Sequence, residues 1–238
     1  MHETLPENWA KDDLSEYLDI SMSNGVATFA NSKEDYNTLK EIDGLFVLAG
    51  NSIDNPEEIW PAVLFYRAHS AFRSAIYLVM AGHQIESFTV MRQAIEYALY
   101  ANHMVKRPQS VQIWLDRPNS PKDTNKCRSE FSHGNVMKSV KNKKLNEITR
   151  QLYGRCIDYG AHPNEASVFS SMMIDRSEKG KAHLKQTYLT CEGQIMAFTV
   201  KTAKTVGVCV LDIFLTIWKE RFQIVGIDEK LNKHKSVL

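Results

Sequence analysis

The sequence predicts a mainly all-α protein, a helical bundle with one small extended or β-hairpin flap. Three observations predict it. Two long apolar helical patterns meet at Ala81-Gly82-His83, a third runs through residues 192–222, and residues 166–189 break the helical period around the turn-like Ser177-Glu178-Lys179-Gly180. With 238 residues, 43% hydrophobic and 24% charged, the chain can bury one sizeable core. The expected division is an acidic helical extension over 1–55, the bundle over 56–225 and a polar tail over 226–238.

In chain order, residues 7–20 predict an acidic helix. Trp9, Leu14, Tyr17 and Leu18 are too few apolar anchors for an independent core, so it must dock elsewhere. Residues 21–32 read as a loop. Ser32 and Asp35 then start a helix carrying Tyr36, Leu39, Ile42, Leu45, Phe46 and Leu48 until Asn51-Ser52-Ile53-Asp54-Asn55-Pro56 stops it. The N-terminal sixth of the chain reads as the most detachable piece.

The central hairpin starts with Pro61 in a first helical turn, where its missing N–H is harmless, and turns at Gly82. Its first helix is apolar almost all round, apart from a narrow line of Tyr66, His69 and Arg73. Ala68, Ala71, Ser74 and Ala75 would let a neighbour approach closely. On the second helix Thr89, Arg92, Glu96, Tyr100 and His103 share one side. Three prolines within residues 107–125 suggest a short helix in an irregular connection. Residues 131–140 suggest a weak helix. Leu145, Ile148, Leu152, Tyr153 and Ile157 keep helical spacing in another that ends near Gly160. The last long helix closes the bundle, and the polar tail is expected to fray.

The composition also narrows the setting. Cys127, Cys156, Cys191 and Cys209 form no Cys-x-x-Cys pair, and the N-terminus has neither a basic start nor an apolar run, so a cytoplasmic protein is expected. Lys201, Lys204 and Asp212 interrupt the most apolar late stretch, so no membrane span is expected. Charge is polarised along the chain: residues 1–60 carry 3 Lys/Arg against 13 Asp/Glu, and residues 104–155 carry 12 against 4. Either the two regions neutralise each other, within the fold or across a dimer, or the basic one meets a polyanion.

Few motifs carry chemistry. There is no Walker sequence, no Gly-x-Gly-x-x-Gly, no Gly-x-Ser-x-Gly and no His-Glu-x-x-His. His83 and Glu86 form a close His/carboxylate pair with one-face spacing, which is too little for a metal site unless His69, His103 and His162 converge on it. No metal or other cofactor is expected. Arg92 and Glu96 can pair across one helical turn, either as a solvated stripe or facing a cleft with Tyr66, His69 and Arg73. A metal-free ribonuclease needs a histidine to move protons and an arginine to hold phosphate charge. Arg128 precedes His133, Arg155 precedes His162 and Arg176 precedes His183 by five to seven positions; with ten arginines and eight histidines, about one such match arises by chance.

The segment from Phe72 through Met104, with Arg92 and Glu96, followed by Tyr153-Gly154-Arg155-Cys156-Ile157-Asp158-Tyr159-Gly160-Ala161-His162, resembles a group of bacterial all-helical proteins. In these, an Arg-x-x-x-Glu helix precedes a Tyr-containing segment ending in His. That group is similar to the HEPN class of helical bundles, whose toxin and antiviral members are metal-independent ribonucleases with an Arg-x(4–6)-His motif and usually act as dimers. The resemblance spans residues 60–220. It implies Arg155 and His162 as the catalytic pair, with Arg128 and His133 as rivals. Ser129 fits the polar residue that usually follows the motif arginine, whereas Cys156 departs from it. Tyr66, His69, Arg73, Arg92, Glu96 and Tyr159 form the expected polar cluster for ligand binding or structural support. The expected partners are RNA and a second copy of the chain in a homo-oligomer. The alternative is a non-catalytic module that binds a protein partner or a small anionic ligand through Arg73, Arg92 and Glu96.

Overall fold

Asp12 caps the first helix of the computed structural model, which describes residues 5–56, 59–161, 165–169 and 171–237. Its carboxylate accepts from the Leu14 and Ser15 amides, and the Ser15 hydroxyl bonds back to it. This cap starts α1 at Asp13–Asn31, later than residues 7–20, and the stretch 21–32 expected as a loop is helical almost throughout. Gly25 weakens the helix only by its own propensity, because nothing crowds that position. Helix α2, Lys33–Ser52, belongs to the main core, where Leu39, Ile42, Phe46 and Ala49 are fully buried.

The central hairpin forms as its periodicity dictates. Helices α3 (Ile59–Ala81) and α4 (Gln84–Lys106) pack on each other around Gly82, whose φ of 97° is a conformation that favours glycine. Phe65, Phe72, Phe88, Met91, Ile95 and Leu99 fill the interior. The small residues Ala68, Ala71 and Ala75 are buried, as a close helix approach requires, while Ser74 stays exposed.

Helix α5, Gln109–Leu115, is the expected short element. Helix α6 follows at Pro121–Glu130, where an irregular connection and then a helix over 131–140 were expected. The Ser120 hydroxyl accepts from the Asp123 amide, and Pro121 sits at the first helical position. Only the single turn α7, His133–Met137, falls within the expected span. Helix α8 is Lys143–Cys156, capped by Asn142, and runs into a π-helical turn, Ile157–Ala161, at the expected end. After α9 (Glu165–Phe169), strands β1 (Met172–Asp175) and β2 (His183–Gln186) pair antiparallel, with Met172 opposite Gln186 and Asp175 opposite His183. This is the predicted flap.

The closing helix is shorter than expected. Helix α10 spans Gly193–Leu215, and α11 (Lys219–Ile224) and α12 (Ile227–Val237) follow where a continuous helix and a frayed tail were expected. Ile227 and Leu231, one turn apart, are completely buried and tie α12 to the bundle. Helix α10 reaches α2, α3, α4 and α8. Gly207 permits a close approach to α3, since a Cβ there would lie 2.6 Å from the Phe72 ring. Among the described residues no helix is long and apolar enough to cross a membrane.

Candidate functional site

Helix α8 divides the candidate residues, because Tyr153 and Arg155 are two positions apart and so point about 200° apart around it. On the α4 side, the Tyr153 hydroxyl donates to Glu96 Oε1 at 2.9 Å. Arg92 Nε lies 3.3 Å from the same oxygen. That contact is a charge pairing without hydrogen-bond geometry, so Arg92 Nε has no hydrogen-bond partner although it is buried. The guanidinium also sits 5.9 Å from the Tyr153 ring centre.

His133, the first residue of α7, stacks on the same tyrosine. Its ring is 3.9 Å from that of Tyr153 at an interplanar angle of 17°. Its Nδ1 is likewise buried without a partner. Burial and then the Arg150 charge pull the His133 pKa below its ordinary value, against an opposing pull from Glu96. Burial and Arg150 both favour the neutral imidazole over the imidazolium. Burial and then Glu96 push the Tyr153 phenol well above its usual range. Arg128, the rival partner of His133, is exposed in the last turn of α6, and the helix break at Phe131 and Ser132 separates the two.

On the α10 side, Arg155 donates from Nη1 to Thr202 Oγ1 at 3.2 Å and lies 5.1 Å from the Phe198 ring centre. Tyr159 packs on Phe198 and Phe88, so it supports the aromatic surface beneath Arg155. Arg155 lines a cleft of about 450 Å³ between α8, α10 and α12, together with Lys144, Lys201 and Lys235. His162, its expected partner, lies outside the described residues. The preceding turn is held by the Thr89 hydroxyl, which donates to the Gly160 carbonyl at 3.0 Å.

The remaining polar residues take other partners. Asp43 on α2 receives His69 Nε2 at 2.6 Å, Arg73 Nε at 2.8 Å and Arg73 Nη2 at 2.9 Å. Burial alone would raise the Asp43 carboxyl, but the hydrogen bonds from His69 and Arg73 outweigh it and hold the group far below its usual range. The Tyr66 hydroxyl donates to the Gly50 carbonyl. These three residues therefore face α2 and its end, while Arg92 and Glu96 face α8. His103 pairs with Glu130, and His83 contacts Tyr17 and Ser21. Among the described residues no three His, Cys, Asp or Glu side chains gather as a metal site.

The cysteines carry no activated nucleophile. Burial pushes the Cys156 and Cys209 thiols up to about 12, and it also raises Cys127 and Cys191. Sequence spacing identified the Arg92–Glu96 pair, but it missed Tyr153, Asp43, Thr202 and Lys201. Tyr153 had a signal only as an apolar-spaced residue of α8. Asp43, between the buried Ile42 and Leu45, was a charged residue on an otherwise inward stretch. The chain matches no family model, no curated protein and no solved structure.

Proposed function

We propose that the chain is a HEPN-like helical bundle that binds RNA across its basic middle segment and cleaves it without a metal. The observation that carries this reading is electrostatic. Among the described residues, no ion pair joins the acidic region 1–60 to the basic region 104–155. The acidic side chains that pair do so with His69, Arg73, Lys204 and His234 instead. Lys122, Lys126, Arg128, Lys138, Lys141 and Lys143 stay exposed, and a polyanion gains most from such a surface.

In this reading Arg155 holds the scissile phosphate, oriented by Thr202 and Phe198, and His162 moves a proton between the 2′-OH and the leaving oxygen. Arg128 and His133 serve less well, because the histidine stacks inward while the arginine faces solvent. Binding through Arg73, Arg92 and Glu96 alone also gains less, because Asp43 and Tyr153 already engage those groups. A homo-oligomer fits the same reading: α1 docks through Ser21 and Thr28 and leaves Leu14, Leu18, Met22 and Phe29 exposed, an apolar face that a second copy can cover without occupying the basic segment.

Cleavage of a labelled RNA by chelator-treated protein tests the proposal. Wild type should cleave, and folded Arg155→Ala and His162→Ala should each lose at least about a hundredfold in rate. Absence of cleavage by wild type, or full activity in both variants, overturns it.

A further inference from the structure

The cleft along α8 has a polarity that RNA binding does not explain. Arg155 contacts Thr202 while Thr149 meets Cys209 Sγ at 3.3 Å, so α8 and α10 run antiparallel along it. Arg155 and Lys201 consequently share one end. The opposite end holds Lys144 and Asp212, the latter neutralised by Lys235 at 2.7 Å. Between them the floor is mainly aliphatic, with Leu145, Ile148, Leu152 and Val208 beside Gln151, Thr205 and Cys209. From Leu145 to Arg155 the cleft follows α8 for about 15 Å at 1.5 Å per residue.

A mainly apolar concavity of about 450 Å³ with a few convergent polar groups has the size and chemistry of a small-molecule site. Its cations are not spent internally at the Arg155 end: Thr202 accepts from one of the guanidinium's five N–H groups, and Lys201 is exposed. The floor offers no aromatic ring for a base to stack on, which favours a flexible aliphatic body over a nucleobase.

We propose that this cleft binds a single-chain amphipathic anion, with its phosphate or carboxylate head on Arg155 and Lys201 and its aliphatic body along Ile148, Leu152 and Val208. The site shares Arg155 with the ribonuclease reading but does not rest on it, because binding is measured without RNA. An occupied cleft would withhold Arg155 from a phosphodiester, which makes the ligand a competitive regulator if the chain cleaves RNA.

Isothermal titration of the full chain with decyl phosphate, kept below its micellar concentration, should show one saturable site. Arg155→Ala and Ile148→Asp, each with helicity confirmed by circular dichroism, should weaken binding by at least about tenfold, as expected for the loss of a charge-assisted contact or of the apolar floor. Lys201→Gln, an exposed substitution, provides the same head-group test if either variant unfolds. Inorganic phosphate or decanol binding as tightly as decyl phosphate would overturn the proposal. So would preferential binding of adenosine monophosphate, binding to phospholipid vesicles alone, or no saturable binding.

Discussion

The Tyr153 hydroxyl reaches from α8 to Glu96 on α4 at 2.9 Å, and the other face of the same side chain carries His133 at a ring separation of 3.9 Å. One tyrosine thus fixes the position of two ionisable residues from two other helices. Its phenol is deprotonated in the unfolded chain at a lower pH than in the folded one, because burial and Glu96 raise the folded pKa. The associated stability is therefore complete below about pH 10, the ordinary phenol value, and is lost as pH rises above it. Tyr153→Phe should cost about 1 kcal/mol at neutral pH through the lost hydrogen bond. It should also flatten the alkaline limb of a denaturant-midpoint profile between about pH 9 and 11, the window set by that phenol value. An unchanged alkaline limb would show that the contact has no thermodynamic weight.

The opposite sign applies at Asp43. Its folded pKa is depressed, so the stabilisation is present above the unfolded carboxyl value of about 3.9 and declines as pH falls below it. Asp43→Asn should lower stability at pH 7 by about 1.5–3 kcal/mol, the range for hydrogen bonds to charged groups, and should make acid unfolding less steep. Thermal melts across the acid range measure both effects.

These two clusters show where sequence reading succeeds and where it stops. Arg92 and Glu96 were legible as a pair because helical spacing alone brings them together, whereas Tyr153 and Asp43 join them, or His69 and Arg73, only through tertiary packing. The same distinction holds for the fold. Helices α3 and α4 each repeat an apolar pattern over 23 residues, so their existence was plain. Helix α6 buries only Cys127 among its residues, which leaves almost no periodic signal apart from the Ser120-Pro121 start. Helix α12 depends on Ile227 and Leu231 in a polar sequence, and a single apolar pair does not distinguish a docked helix from a frayed tail.

Packing around Gly207 gives a third prediction. A Cβ would fall 2.6 Å from Phe72 and 2.8 Å from Ile42, both fully buried and unable to retreat into solvent. Gly207→Ala should therefore destabilise the protein by about 1–3 kcal/mol, despite the better helix propensity of alanine. Chemical denaturation measures it; an equally or more stable variant would mean that α10 can shift away from α2 and α3 at little cost.

The unneutralised basic segment is the centre of the functional account, and the salt dependence of RNA binding tests it most directly. Fluorescence anisotropy with a single-stranded RNA should give a logarithmic association constant that falls linearly with the logarithm of salt concentration. Replacing Lys138 and Lys141 together by alanine should weaken binding and reduce the slope by about 1.4, if each contacts one phosphate. Salt-independent affinity, or a wild-type slope in the double variant, would contradict the assignment of this surface to RNA.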